Sequence, residues 1–462
     1  MPLNHAIITG RRLAVLAGGL MLALGAVGVS PAAAETDGHS HTPALYVTFH
    51  GEASDARASD AASSSNNISS YDASGHLVSK TVLATGKHDP VLAELRGMLL
   101  TADGGLMVAN ATKSDSAVLS YQTPDASGTR HPAPPSGVFA PGAPTNPGID
   151  HPYGLAAAAD GGLLVSSQDS AVVTALDSSG APTPTTGASS WWAEQYPDVV
   201  FDAGTLVPSA TEVPAEAGGL VAPRGLVIAP ASGTGSATDT ATTLYVADNT
   251  AQLVRSYDAT TGRFLGDVLS PAVGGIGNPV GLIVNDGILY VTSEGTDDVV
   301  SLDLATGSTT EVVPRELGKA KLDHPSGLGF GADGRLYVAS RVGQKIIAYT
   351  LDSTNTKAVK ADLFVDGLPD QPEQLLLLDD ADDGAEPPPP ASPSPTSPAP
   401  ASVPPTTPTA DPHEPGHGEL AATGFGPDLR PAVGLALIAL VALSAGIAVL
   451  ASRRGLRTPG GR

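Results

Sequence analysis

A short motif recurs along the middle of the chain and limits its fold more than any other feature. It reads Pro-x-Gly-Leu, then a short apolar strand, an Asp/Gly turn, Leu-Tyr-Val-Ala/Thr, a polar loop and an alternating strand. Clear copies begin at APRGL, NPVGL and HPSGL, and weaker copies at LRGML and HPYGL. Each copy is a strand, a short turn with Gly and another strand, which is typical of β-hairpins. Repeats of roughly 45–70 residues with four short strands predict propeller blades.

The two ends of the repeat region together complete a sixth copy. ALYVTFH at 44–50 and NNISSYDASGHLVSKTVL at 66–83 align with the strands of a repeat, but no Pro-x-Gly-Leu strand precedes them. The missing strand is found in QPEQLLLLDD at 371–380. A blade split between both ends closes a ring without free edge strands. The sequence therefore predicts an all-β, six-bladed β-propeller over residues 42–380, with its first blade closed by 372–379.

The copies resemble NHL repeats and the wider six-bladed group that includes the gluconolactonase-like proteins, over about residues 42–380. Gluconolactonase-like propellers place Asn and Asp between the Pro and the Gly to hold a divalent metal, and zinc-dependent lyases with NHL-like propellers place His there. In this chain the same position holds Tyr153, Arg224, Val280 and Ser326. None of these is a usual ligand for Ca²⁺ or Zn²⁺. The resemblance thus implies the architecture, and we expect neither a metal nor a cofactor.

Two sets of residues are expected to meet at the mouth of the central channel, because strand one of each blade begins where strand two ends. The residue between Pro and Gly belongs to the first set, which comprises Arg96, Tyr153, Arg224, Val280, Ser326 and, in the closing strand, Gln374. The ends of strand two form the second set, comprising Asn110, Ser167, Gln168, Asp248, Asn249, Ser293, Glu294, Ser340, Arg341 and His50. From both sets we predict a ligand site formed by Arg96, Tyr153, Arg224, Asp248, Glu294, Ser326 and Arg341.

Arginines converging in a concave site suit carboxylate or phosphate groups. We therefore expect a small anionic or polyhydroxy ligand, with Arg96 and Arg224 as its main donors and Tyr153 as a stacking wall. The alternative is that Arg96 and Arg224 pair with Asp248 or Glu294 across the ring.

Two further features have both a functional and a structural interpretation. His151 and His324, in DHPYG and DHPSG, are either a pseudo-symmetric metal or ligand pair or packing residues of the loops that enter two blades. Trp191 and Trp192 either stack on a sugar or partner protein or fix a long loop. The chain has no Cys, no G-x-S-x-G and no H-E-x-x-H motif, so no catalytic residue is predicted.

Both ends of the chain carry targeting signals. Residues 1–34 have the basic, apolar and small-residue regions of a secretory signal peptide. Residues 385–419 form a Pro/Ser/Thr-rich stalk, 431–452 an uncharged span long enough for a transmembrane helix, and 453–462 a basic cytoplasmic tail. For residues 1–34 the alternative is a membrane anchor that is not cleaved. For the C-terminal span the alternative is an ordinary transmembrane anchor.

The pentapeptide before the apolar span consists of Leu420, Ala421, Ala422, Thr423 and Gly424. With the span and the basic tail it resembles a sortase cell-wall sorting signal, in the L-A-x-T-G variant associated with high-GC actinobacteria. The resemblance implies that a sortase joins the Thr423 carboxyl group to peptidoglycan. The expected location is therefore outside the cell, at the cell wall or the membrane surface.

The composition excludes some partners and leaves two functions open. The formal charge of −23 disfavours nucleic acid and anionic lipid, so membrane contact is expected only through the C-terminal helix. The favoured function is a wall-displayed module that binds a small ligand or a protein partner. The alternative is an extracellular lactonase- or lyase-like enzyme with an atypical channel site, built from His151, Glu294, Arg224 and Asp248.

Overall fold

Six four-stranded antiparallel sheets make up the fold, which confirms the prediction of an all-β, six-bladed propeller. The computed structural model describes residues 42–51, 64–86, 89–183, 188–230 and 242–378. All of them belong to the first of two units, 1–387 and 388–462, into which the chain divides. The signal peptide, the stalk, the sorting pentapeptide, the C-terminal helix and the tail lie outside the described residues. Within the described part, no helix has the length and apolarity that crossing a membrane requires.

The strands are numbered along the chain and grouped by blade. Blade 1 contains β1 (Leu45–Phe49), β2 (Ser69–Tyr71) and β3 (Leu77–Ser79); blade 2 contains β4 (Leu95–Leu100), β5 (Leu106–Asn110), β6 (Ala117–Tyr121) and β7 (Val138–Pro141); blade 3 contains β8 (Pro152–Ala157), β9 (Leu163–Ser167), β10 (Val172–Leu176) and β11 (Thr205–Val207). Blade 4 contains β12 (Pro223–Pro230), β13 (Thr242–Asp248), β14 (Leu253–Asp258) and β15 (Phe264–Leu269); blade 5 contains β16 (Pro279–Asn285), β17 (Ile288–Ser293), β18 (Asp298–Asp303) and β19 (Thr309–Val313). A hairpin of β20 (Glu316–Leu317) and β21 (Ala320–Lys321) precedes blade 6, which contains β22 (Pro325–Phe330), β23 (Leu336–Ser340), β24 (Lys345–Leu351) and β25 (Ala358–Val365). The last strand is β26 (Pro372–Leu377), and the short helices are α1 (Ala188–Gln195) and the 3₁₀ turns Ser64–Asn66 and Ala215–Ala217.

The ring closes in blade 1, where β26 is the innermost strand. It pairs antiparallel with β1, with Leu45 opposite Leu377 at one end and Phe49 opposite Pro372 at the other. Further out, β1 pairs with β2, and β2 pairs with β3. The N-terminal and C-terminal parts of the repeat region therefore share one sheet.

Every inner strand carries a bulge at the Pro-x-Gly-Leu motif or, in β4 and β26, at the equivalent residues. In blade 4, Pro223 lies opposite Asp248 and Leu226 lies opposite Val246, so two residues face one on the neighbouring strand. The other five blades show the same register shift. The bulge directs the residue before the Gly toward the channel, as bulges redirect side chains elsewhere.

The Gly of the motif lets adjacent inner strands approach closely. A Cβ atom on Gly97 would lie 2.5 Å from the carbonyl oxygen of Tyr153 in the next blade, and one on Gly154 would lie 2.7 Å from that of Arg224. Real Cβ atoms do not come so close to a backbone, so the motif requires Gly at these positions.

Neighbouring blades bury apolar residues between their faces. The described residues form six hydrophobic clusters, and each cluster joins one pair of adjacent blades. The cluster between blades 1 and 6, for example, contains Leu45, Val47 and Phe49 together with Tyr337 and Ile346. Burial on both faces explains why strand two of each blade is almost uniformly apolar.

A hydroxyl group links the inner strands at every second blade. In blade 5, the Gly281 N–H donates to Thr292 Oγ1 (2.7 Å), and that hydroxyl donates to the Ser326 carbonyl of blade 6 (2.6 Å). Thr48 in blade 1 and Ser166 in blade 3 make the equivalent bonds. The same position in blades 2, 4 and 6 is Ala109, Ala247 and Ala339.

Of the two roles expected for the tryptophan pair, the contacts support the fixing of a long loop. Trp192 is fully buried and its Nε1–H donates to the Leu206 carbonyl oxygen at 3.1 Å. Trp191 packs edge-on against Trp192, with ring centroids 4.5 Å apart. The pair therefore fixes α1 and its loop to blade 3.

Candidate functional site

The innermost layer of the channel mouth is formed by the residue between Pro and Gly of each blade. These residues are Arg96, Tyr153, Arg224, Val280, Ser326 and Glu373. The expectation of Gln374 in the closing strand is wrong. Pro372 lies opposite the last residue of β1, as Pro325 lies opposite the last residue of β23, so Glu373 takes the mouth position and Gln374 the Gly position.

Glu373 is the centre of this layer. It is buried, its Oε2 accepts a hydrogen bond from the Tyr153 hydroxyl (2.7 Å), and its Oε1 lies 3.0 Å from His50 Nδ1 and 3.7 Å from Arg341 Nε. Burial alone would raise the pKa of Glu373, but Arg96, His50, Arg341 and Tyr153 outweigh it and lower the pKa to about 2. A carboxylate that is ionised at neutral pH thus joins residues from blades 1, 3 and 6.

Arg96 and Tyr153 form the buried floor beside Glu373. The Arg96 guanidinium donates to the His50 carbonyl oxygen (3.0 Å) and lies 3.5 Å from the Glu94 carboxylate. Its centre is 5.9 Å from the centroid of the Tyr153 ring, and that of Arg224 is 5.6 Å away. Tyr153 is buried, so it cannot act as the stacking wall expected from the sequence.

A chain of ion pairs forms the accessible rim of the mouth. Arg224 Nη1 lies 2.9 Å from Glu294 Oε2, and Arg341 Nη1 lies 3.1 Å from Glu294 Oε1. The Nε groups of the two arginines donate to the side-chain oxygens of Gln168 (3.2 Å) and Gln371 (3.0 Å). Arg224 therefore pairs with Glu294, as the alternative expected, whereas Arg96 pairs with Glu94 and with neither Asp248 nor Glu294.

Asp248 lies inside its blade and not at the mouth. It is fully buried, accepts the backbone N–H groups of Val221 (3.0 Å) and Ala222 (2.9 Å), and forms an ion pair with Arg255 at 3.3 Å. The strand explains the difference, because Asp248 is the last residue of β13, whereas Glu294 and Arg341 follow the last residues of β17 and β23. Successive strand residues point in opposite directions.

Ser326 occupies a mouth position but has a structural contact. It is buried, and its hydroxyl donates to the Pro372 carbonyl oxygen at 2.7 Å. Ser326 therefore joins blade 6 to the closing strand and offers little surface to a ligand.

The two histidines before the Pro have different surroundings. The His151 side chain is largely buried at the mouth, with Nδ1 4.0 Å from Glu94. Burial lowers the pKa of His151 to about 4, and the positive charge of Arg96 adds to the effect. His151 is therefore neutral at neutral pH.

His324, in contrast, is about half exposed and pairs with Asp323 at 2.8 Å. Ligand atoms of Asp297, Asp323 and His324 lie within 4.8 Å of one another, a group that can hold a divalent cation. The Arg315 guanidinium, 3.2 Å from Asp297, already neutralises part of that charge. The two histidines thus do not form a symmetric pair.

Beyond the floor, the channel is an axial cavity of about 360 Å³ between the inner strands. The residues that line it are mainly apolar in type and come from all six blades, including Gly97, Gly154, Gly225, Leu282, Leu328 and Gln374. The polar side chains are thus concentrated at the mouth.

The structure brings together Arg96, Tyr153, Arg224, Glu294 and Arg341, with Ser326 beside them and Asp248 apart. Sequence reasoning missed Glu373, Glu94 and Gln371 in this group. Pro372 was the available signal for Glu373, because it fixes the alignment of QPEQ with Pro-x-Gly even though Gln replaces the Gly. Nothing comparable marks Glu94, since Leu95 replaces the Pro in its blade.

Comparison with known proteins adds no family assignment. No family model matches the chain, and no curated protein matches it in sequence. Among solved structures, the chain is similar to a virginiamycin B lyase from Staphylococcus aureus, with 13% identity over 61% of this chain and 73% of that one and a TM-score of 0.36. It is also similar, at 13% identity and over 72% of this chain, to a nidogen/laminin complex (96% of that chain, TM-score 0.42) and to a protein of unknown function from Bacteroides caccae (98% of that chain, TM-score 0.43). The number of blades rests on the strand pairing described above.

Proposed function

We propose that the chain is a binding module whose channel mouth takes a small polar ligand, either anionic or a carbohydrate. One observation carries this proposal. Arg224, Glu294 and Arg341, from three consecutive blades, meet in one hydrogen-bonded rim above the buried Glu373. A few convergent polar groups in a concave site on a rigid scaffold are typical of ligand sites.

A binding assay with the full-length chain tests this function. The panel consists of neutral sugars, sugar acids and cell-wall fragments, and the variant is Arg224→Ala. We expect the variant to lose at least about tenfold in affinity, since it removes a hydrogen-bonded charged contact. Arg263→Ala is the matched control, because Arg263 is exposed on blade 4 away from the mouth. Equal affinity of Arg224→Ala and the parent would contradict the proposal.

A lactonase- or lyase-like activity is the second candidate, and it rests on the position of His151 in the mouth, where its largely buried side chain lies 4.0 Å from Glu94. The imidazole is neutral at neutral pH and can accept a proton there, although burial makes it a weaker base than a free histidine. The test is turnover of a panel of lactones by the full-length chain. His131→Asn is the control, because His131 is an exposed histidine of blade 2. Turnover that is lost in His151→Asn and kept in His131→Asn would support an enzyme. If no substrate is turned over, the binding function stands alone.

We further propose that the protein is exported and joined to the cell wall at Thr423. Support comes from the order of signal peptide, stalk, L-A-A-T-G, apolar span and basic tail. Mass spectrometry of wall digests should find a peptide ending at Thr423 linked to a peptidoglycan amine. Release of intact chain by detergent alone would show that the apolar span, and not the wall, retains it.

A further inference from the structure

We infer that the ligand of the mouth is a neutral polyhydroxylated molecule, of the sugar class, and not a free anion. The inference rests on the proposed binding function and narrows its ligand. It follows because the charged side chains of the mouth are already paired with one another.

The charges of the paired arginines and glutamates at the mouth cancel. Three arginines, Arg96, Arg224 and Arg341, face three carboxylates, Glu94, Glu294 and Glu373, so the formal sum is zero. His151 adds no charge at neutral pH. The chain as a whole carries −23, a charge that disfavours the approach of anions.

An anion cannot gain an arginine without displacing a carboxylate. Glu294 accepts from Arg224 through one oxygen and from Arg341 through the other, and its side chain is only 15% exposed. A ligand carboxylate in its place would make the same two ion pairs and leave Glu294 partly buried without a partner. Removing one member of a partly buried pair is unfavourable, so the exchange gives no net gain.

The floor does not offer a free cation either. The side chain of Arg96 is 3% exposed and that of Glu373 is 2% exposed. Both lie beneath the rim: Glu373 accepts from the Tyr153 hydroxyl and contacts the His50 ring, and Arg96 donates to the His50 carbonyl oxygen. Of the arginines and glutamates of this network, only those of the rim are within reach of a ligand.

Hydroxyl groups can bind the rim without breaking any pair. A guanidinium has five N–H groups. The described contacts of Arg224 and Arg341 use two in each case, one from Nε and one from Nη1. Donors that remain on both arginines thus lie next to the carboxylate of Glu294. A hydroxyl group both donates and accepts, so adjacent donors and acceptors suit a diol.

Titration calorimetry of the full-length chain separates the two ligand classes. The probes are maltotriose and N-acetylglucosamine as neutral sugars, and glucuronate and inorganic phosphate as anions. We expect a neutral sugar to bind best, with an affinity that changes less than about twofold in 1 M NaCl, where charges are screened within about 3 Å. Tighter binding of glucuronate or phosphate, weakened by salt, would overturn the inference but not the binding function. Failure of every probe and of the wall fragments would overturn both.

The variant Glu294→Gln provides a second test. It removes the shared carboxylate while keeping its shape, so Arg224 and Arg341 become available. We expect glucuronate to bind at least about tenfold more tightly to this variant than to the parent, and Glu311→Gln, an exposed change in the same blade, to have no effect. Unchanged glucuronate affinity in a folded Glu294→Gln protein would overturn the inference. Should the variant fail to fold, the titrations of the parent chain decide.

Discussion

Glu373 connects the stability of the molecule to its candidate site. It lies on the last strand of the ring, and its carboxylate contacts side chains of blades 1, 3 and 6. A buried charge is tolerated only when it is paired and hydrogen-bonded. The mouth satisfies that condition, so the residues that would bind a ligand also hold the closing strand.

Replacing Glu373 with Gln should therefore destabilise the fold. The change keeps the shape but leaves Arg96 and Arg341 with less compensating charge. We expect a loss of about 3 kcal/mol in the free energy of unfolding at pH 7, measured by urea denaturation. Glu311→Gln is the matched control, and a Glu373→Gln protein as stable as the parent would contradict this role.

The stability gap between the parent and Glu373→Gln should also depend on pH. The pKa of Glu373 is lowered from 4.5 to about 2 in the folded state. A carboxyl group whose pKa is lower in the folded state stabilises the protein at pH values above its pKa in the unfolded chain. That stabilisation is lost as the pH falls toward the pKa in the folded state. We expect the gap to shrink by about 2 kcal/mol between pH 6 and pH 3. A constant gap across this range would be inconsistent with an ionised Glu373.

The protonation of His151 should affect stability at higher pH than that of Glu373. Its folded pKa of about 4 lies below the usual value of 6.5, so the unfolded chain binds the proton more readily and acid favours unfolding. We expect His151→Asn to be about 2 kcal/mol less sensitive than the parent to a fall from pH 7 to pH 5. Thermal unfolding at the two pH values measures the difference, and His131→Asn is the control. Equal sensitivity of all three proteins would show that His151 is not held neutral.

At the scale of the strand, the Pro-x-Gly-Leu motif does two things. The bulge turns its second residue to the channel, and the Gly permits close contact with the next inner strand. Each blade is thus tied to its neighbour near the axis, and the hydroxyl bonds of Thr48, Ser166 and Thr292 strengthen every second contact.

Removing one of these hydroxyl groups should weaken the ring. Thr292→Val keeps the shape of the side chain but leaves the buried Gly281 N–H and Ser326 carbonyl without this partner. We expect a loss of about 2 kcal/mol in the free energy of unfolding, measured by denaturation with urea. Thr310→Val, an exposed change on β19, should be neutral. A neutral Thr292→Val would show that the hydroxyl contributes little.

The strands were largely predictable from sequence, because the motif, the Gly turns and the apolar strand two repeat visibly. The contacts within the mouth were less predictable, since they depend on register and on which way a strand residue points. Asp248 and Glu294 look equivalent as polar residues at a strand end, yet one residue of offset places Asp248 in the blade interior and Glu294 at the mouth. Gln374 and Glu373 differ in the same way, because Gln occupies the position of the Gly.

At the scale of the molecule, both ends of the ring leave from the face opposite the mouth. Leu45 and Leu377 lie together at one end of the β1–β26 pair, and the mouth residues His50 and Glu373 lie at the other end, next to Phe49 and Pro372. In a chain anchored through its C-terminal segment, as proposed here, the strand that carries Glu373 is the last strand before the stalk and the anchor. Ligand contact at the mouth and attachment at the wall would then act on the same strand.

Every assignment of a residue to the mouth depends on the pairing of β26 with β1, and a cysteine cross-link measures that pairing directly. The chain has no Cys, and Val47 lies opposite Leu375 in the closing sheet. In the double variant Val47→Cys, Leu375→Cys, we expect a disulfide to form under mild oxidation. The oxidised variant should unfold at a higher temperature than the same variant in its reduced form. Two thiols that remain free and reactive after oxidation of the folded protein would contradict the closed ring, and with it the candidate site.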